Sequence, residues 1–418
     1  MHSSRRGGAL LAQDTRTPVK PGWYLLGPAF VAAIAYVDPG NVAANVSAGA
    51  QFGFLLVWVI VVANVMAGLV QYLSAKLGLV TGSSLPEMVG AHMRRPTRIA
   101  YWLQAEFVAM ATDLAEVVGG AIALHLIFDL PLLLGGVITG AVSMALLAIG
   151  DRRGPRLFEQ VSSGLLLIIA IGFLASLFVE PPPAAEVAAG LLPRFDGAES
   201  LLLATAMLGA TVMPHAVYLH SGLARDRHGR PDPGPLRRRL LRATRWDVGL
   251  AMLVAGAVNL AMLVVAATHL VGRDTGASIE GAHAAIYDAL GPTIALFFAV
   301  GLLASGLAST SVGAYAGAMI MQGLLRVSVP LLWRRLVTLI PALVILASGL
   351  DPSRALVISQ VVLSFGIPFA LIPLIRLTGD HTLMGADSNR RLTSALGWIV
   401  TAVISLLNMV LIYLTVRG

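Results

Sequence analysis

The chain has 418 residues, 57% of them hydrophobic and only 12% charged, with a mean hydropathy of +0.80; soluble domains carry about 25% charged residues, so composition excludes a soluble globular protein. Cysteine is absent, which excludes disulfides, iron–sulfur clusters and thiolate metal sites and leaves methionine and histidine as the soft donors. The net charge of +7 would suit nucleic acid, but the placement of the basic residues assigns it to membrane topology, and no nucleic-acid partner is expected.

Residues 1–20 are basic, and their apolar stretch Ala9 to Ala12 is too short for a secretory signal, so they read as a retained cytoplasmic tail. One membrane domain, residues 21–418, follows. Apolar runs near the 20 residues needed to cross a bilayer predict eleven spans, at about 24–49, 54–76, 99–125, 132–150, 157–179, 201–224, 246–271, 285–323, 330–349, 353–375 and 392–416. With the N-terminus inside, every one of the 29 lysines and arginines except Arg194, Arg273, Arg354 and Arg417 falls on the cytoplasmic side. That asymmetry fixes a cytoplasmic-membrane orientation and puts the C-terminus outside.

Span 1 is interrupted by Asp38-Pro39-Gly40-Asn41 and span 6 by Met213-Pro214-His215. A proline inside a span frees a backbone carbonyl and removes a donor, and lipid satisfies neither, so such breaks persist where they face protein, water or a bound ion. The two breaks sit at matching points of two five-span halves, 24–179 and 201–377. Five is odd, so the halves are inverted, and paired discontinuous helices in inverted repeats hold substrate near the midplane. The eleventh span, 392–416, lies outside the repeat.

The breaks offer the Asp38 carboxylate, the Asn41 carboxamide and the Met213 thioether, and Pro214 releases the Ala210 carbonyl. Against a surface turn for the first motif stands the apolar run from Leu25 to Tyr36, because an intramembrane carboxylate is costly unless used. Methionine is ordinary apolar filler, and only its place before Pro214 makes Met213 a candidate ligand. Hard oxygens with one soft sulfur disfavour magnesium and calcium and suit transition metals, without selecting among them by affinity. In span 3, Glu106, Asp113 and Glu116 share one stripe. The stripe reads either as a proton path or as static pairing with Arg334 or Arg335. His215 titrates near neutrality or simply bridges the break. Gly49 with Gly53, and Gly313 with Gly317, carry the small-xxx-small spacing of close helix packing. No Walker A loop, zinc-protease motif or dinucleotide fingerprint occurs, so neither ATP hydrolysis nor another enzyme activity is expected, and transport draws on a gradient.

These motifs, with the span 3 run Met110-Ala111-Thr112-Asp113-Leu114-Ala115-Glu116, resemble the Nramp family of proton-coupled transition-metal transporters over nearly the whole sequence. The resemblance implies an all-α integral membrane protein of LeuT-like fold that takes up Mn2+ or Fe2+ with H+, without a cofactor and as a monomer. It implies metal coordination by Asp38, Asn41, the Ala210 carbonyl and Met213, with Gln360 of span 10 at a position that joins the shell in some conformations. It further implies a proton route from Asp38 through His215, Asp113, Glu116 and Arg335. Magnesium-transporting relatives lack the methionine; Met213 is present here.

Three rival readings stand beside this one. A sodium-coupled symporter of an organic solute would use the same fold, a gated cation channel would conduct without pH dependence, and an intramembrane hydrolase would use metal with His215. The last lacks a second histidine at helical ligand spacing.

Overall fold

A computed structural model describes residues 27–153, 155–179, 181–272, 278–327 and 329–417. The expected tail over 1–20, the start of span 1 at Tyr24 and Arg273 lie outside the described residues, as do the side chains of Arg152, Arg153 and Arg156.

Every expected span coincides with helix, and no strand occurs among the described residues. Span 1 is α1 (Pro28–Ile34) continued by a 3-10 turn (Ala35–Val37) and then, after the break, α2 (Pro39–Phe52). Span 2 is α3 (Val57–Thr81), followed by a short amphipathic α4 (Leu85–His92). Spans 3, 4 and 5 are α5 (Arg95–Phe128), α6 (Leu132–Arg153) and α7 (Pro155–Val179). After α8 (Ala184–Ala189), span 6 is α9 (Gly197–Thr211) and α10 (Pro214–His228). Span 7 is α11 (Pro235–His269). It begins about three turns before the expected boundary, because Arg237 through Arg245 continue the helix beyond the apolar stretch. The long run assigned to span 8 divides at Gly291 into α12 (Ile279–Leu290) and α13 (Pro292–Leu325). Gly291 adopts φ +87°, a left-handed conformation open to glycine, and Pro292 then starts the new helix. Spans 9, 10 and 11 are α14 (Leu331–Ser348), α15 (Pro352–Gly379) and α17 (Arg391–Arg417), with α16 (His381–Met384) between the last two.

Packing repeats between the halves. The second half of span 1 lies on span 7 as the second half of span 6 lies on span 2, and spans 3 and 8 meet each other across the centre. Gly49 explains how α2 comes so close to α11: a Cβ there would overlap the Leu263 carbonyl and the Ala267 amide. Gly313 and Gly317 serve otherwise. A Cβ on Gly313 would touch the Glu116 carboxylate and one on Gly317 would overlap the Arg334 guanidinium, so these glycines make room for charged side chains rather than for a helix backbone.

Prolines inside α15 free two carbonyls, and each finds a donor. Pro368 cannot bond back to Ser364, whose carbonyl accepts from Asn408 Nδ2 of α17 at 3.0 Å. Pro373 cannot bond back to Phe369, whose carbonyl accepts from Tyr101 Oη at 2.6 Å and Tyr218 Oη at 3.4 Å. At the other end of the bundle's first helix, both oxygens of buried Asp247 accept from the backbone amides of Gly27 and Ala29 at 3.0 Å. A carboxylate there satisfies donors the helix cannot bond internally.

Candidate metal site between the two broken helices

The first break opens because Pro39 is the first residue of α2 and Asp38 its extended N-cap, at φ −71° and ψ 167°. Asp38 Oδ1 accepts from the Asn41 backbone amide at 2.8 Å and from Asn41 Nδ2 at 3.1 Å. The two carbonyls just ahead of the break are held by distant polar side chains: Tyr36 O accepts from Asn259 Nδ2 at 2.8 Å and Val37 O from Ser305 Oγ at 2.5 Å. Asn259 itself accepts from Asn45 Nδ2 at 3.1 Å. Neither Asn259 nor Ser305 was singled out from sequence; the available signal was a carboxamide and a hydroxyl facing inward from otherwise apolar spans.

The second break mirrors it. Met213 is the extended N-cap of α10, at φ −63° and ψ 123°, and Pro214 is its first residue. With no amide at Pro214, the Ala210 carbonyl is free of its helical partner and accepts from Asn41 Nδ2 at 2.8 Å. That bond ties the two breaks to each other. Gln360 of α15 joins them: a Cβ on Gly40 would overlap its side-chain amide, and a Cβ on Gly209 would overlap its backbone carbonyl. The structure therefore brings Asp38, Asn41, Ala210, Met213 and Gln360 into one region, all fully buried.

Asp38 Oδ2, Asn41 Oδ1 and Gln360 Oε1 are buried without a hydrogen-bond partner. Three oxygens of this kind, one on a carboxylate, are unfavourable in a dry interior unless a cation or donor satisfies them. Residues from two half-helices and a third span supply hard donors, and Met213 supplies the soft one. No cluster of three or more histidine, aspartate or glutamate side chains at metal-binding range occurs among the described residues, so this mixed set is unlike a structural metal centre.

Both breaks abut α5. A Cβ on Gly119 would overlap the Pro39 ring, one turn from Glu116, and His215 Nδ1 lies 3.4 Å from Thr112 Oγ1. On the far side of Asp113 and Glu116 stands Arg335, which is fully buried; its Nη1 is 2.5 Å from Asp113 Oδ1 and 3.1 Å from Glu116 Oε2. Nη2 donates to Thr310 Oγ1 at 3.1 Å. Glu106 belongs to a separate pair with Arg334, at 2.9 Å. The stripe is thus divided between two arginines, and Glu116 Oε1 keeps no partner. Pairing with both arginines is present, as one sequence reading held. A second buried pair, His220 Nδ1 with Gln71 Oε1 at 2.6 Å, links α10 to α3.

Two interrupted helices crossing at a buried polar centre, inside two inverted five-helix units, define a multi-pass membrane protein of the LeuT-like class. The crystal structure of MhsT in complex with L-phenylalanine shares this architecture, with a TM-score of 0.59 at 14% identity over 92% of this chain and 97% of that one, a likeness of fold alone. Residues 29–414 match the family model for natural resistance-associated macrophage protein-like proteins, and the chain belongs to that Nramp family. A divalent metal cation transporter MntH from Mycobacterium tuberculosis (strain ATCC 25618 / H37Rv) is 71% identical over all of this chain and 98% of the relative. The crystal structure of the Eremococcus coleocola manganese transporter with an aromatic bis-isothiourea substituted compound superposes with a TM-score of 0.81 at 31% identity, covering 93% of this chain and 85% of that one.

Proposed function

We propose that this protein carries divalent transition-metal ions, manganese and ferrous iron among them, inward across the cytoplasmic membrane together with protons. Metal transport rests on the family and on relatives that carry the name. The observation that supports the site is the convergence of three unpartnered buried oxygens, two from the first break and one from α15, on the second break, to which Asn41 bonds at the Ala210 carbonyl three residues before Met213. In this reading Asp38, Asn41, Met213 and Gln360 hold the ion. The Ala210 carbonyl, already accepting from Asn41 Nδ2, enters the shell when that amide rotates away.

The orientation proposed from the arginine distribution keeps the N-terminus inside and the C-terminus outside. A divalent cation moving inward gains about 4.6 kcal/mol per 100 mV of inside-negative potential, twice the value per unit charge, which favours uptake. The proton route runs from Asp38 to the Asp113–Glu116–Arg335 group along α5, with His215 as the alternative first acceptor. Its support is contact: Pro39 rests on Gly119, His215 approaches Thr112, and Glu116 keeps one unpaired oxygen. Glu106, paired with Arg334, lies at the end of this route rather than within it.

Proteoliposomes with clamped internal and external pH, reporting manganese and proton entry together, test the reading. Manganese entry should carry protons with it, and Asp113→Asn or Glu116→Gln should reduce proton entry more than metal entry. Metal flux indifferent to the pH gradient, or unaltered proton entry in both variants, would refute coupling by this route.

A further inference from the structure

A groove of about 460 Å³ lies between α4, the start of α5 and the last turns of α15. Its walls are apolar, formed chiefly by Met88, Met93, Tyr101, Phe369 and Ile372. Tyr101 and Phe369 meet edge to face at 5.7 Å, and the Tyr101 hydroxyl is engaged by the Phe369 carbonyl, which leaves the floor hydrocarbon in character. Phe369 is 43% exposed on a spanning helix, so the groove is continuous with lipid.

The mouth differs. No aspartate or glutamate lines the groove, whereas Arg376 does. The Arg376 guanidinium stacks over the Trp398 ring at 6.0 Å and makes no ion pair among the described residues. An exposed tryptophan beside a basic residue at a helix end marks the level of lipid headgroups. The nearest acid in sequence, Asp380, turns one carboxylate oxygen, Oδ1, to the Thr382 amide and hydroxyl, each at 2.7 Å, and makes no ion pair with Arg376. Arg98 lies one turn before Tyr101 on the same face of α5 and keeps its buried Nε without a hydrogen-bond partner. Arg94 and Arg95 stand exposed at the same helix start.

We propose that this groove binds one anionic phospholipid of the leaflet on the arginine-rich side, with an acyl chain along Met88, Phe369 and Ile372 and the phosphate between Arg98 and Arg376. An apolar trough ending in unpaired guanidiniums is complementary to a phosphodiester attached to a hydrocarbon chain, and two arginines favour an anionic over a zwitterionic headgroup by roughly tenfold or more. The inference requires that the chain spans a membrane and is independent of what it transports.

Native mass spectrometry of the full chain, with phosphatidylglycerol and phosphatidylcholine offered in equal amounts, tests it. Phosphatidylglycerol should be retained with roughly tenfold preference, and Arg98→Gln with Arg376→Gln should remove the preference while manganese binding stays intact. Ile372→Trp, which fills the trough and keeps both arginines, should expel the lipid even where the double variant folds poorly. Equal retention of the two lipids, preference unchanged in either variant, or displacement by chainless glycerol phosphate would overturn the proposal.

Discussion

Asn41 is the residue on which the two halves depend. Its side-chain amide reaches Asp38 on its own helix and Ala210 on the other, which leaves its side-chain oxygen without a partner, the atom that the proposed site would present to an ion. Asp38→Ala should abolish manganese uptake in proteoliposomes, since it removes the site's one carboxylate. Met213→Ala should leave binding measurable but raise competition by calcium and magnesium, because those ions disfavour a thioether and tolerate its loss; unchanged competition would reject the role given to the sulfur. Gly40 has a testable steric reason: alanine there would overlap the Gln360 amide. Gly40→Ala should therefore weaken manganese binding measured by calorimetry, and a combined Gly40→Ala, Gln360→Ala variant should relieve the overlap without restoring full affinity. The residues at the breaks were legible in sequence because proline and glycine punctuate apolar runs. Asn259 and Ser305 were not, since a lone polar residue in a span does not reveal which freed carbonyl it faces.

Helix 15 shows what a proline demands of its neighbours. Asn408→Ala should strand the Ser364 carbonyl and lower stability by about 1–3 kcal/mol, read as a fall in melting temperature in detergent. Tyr101→Phe should cost less, because Tyr218 Oη remains near the Phe369 carbonyl. A reversed order would contradict this account of the kinks. These contacts also give the eleventh span, which sequence left as an appendage, a structural purpose: α17 satisfies a bond that α15 cannot make. Outside the membrane, Glu87 of α4 is joined to Arg225 at the end of α10 at 2.5 Å. Burial pushes the Glu87 carboxyl up, but the Ser84 amide and the Arg225 guanidinium outweigh it and hold the carboxyl below its ordinary 4.5. A carboxylate lowered on folding stabilises the fold above its unfolded value and loses that contribution as pH falls through the folded one. The melting temperature should therefore fall on acidification below about 4.5, and Glu87→Gln should flatten that fall; an identical slope in the variant would exclude the pair as a cause.

At the level of the whole molecule, the odd span count and the matched breaks already required inverted halves, and the packing of span 1 on span 7 and of span 6 on span 2 follows that symmetry. Boundaries were less legible. Span 7 extends past its apolar stretch because arginines are good helix formers, and the run assigned to span 8 contains a glycine corner that hydropathy does not register. Charge pairing was legible only as one of two readings, without its individual partners. Sequence placed Arg334 and Arg335 at the start of a span, while the fold buries both against acids of α5, a relation between segments more than 200 residues apart. The most direct test of the central claim is the position of manganese by anomalous diffraction from crystals soaked with the ion. The account predicts one dominant peak within bonding distance of the Asp38 and Asn41 side-chain oxygens and beside Met213. A dominant peak elsewhere, with none between the two breaks, would contradict it.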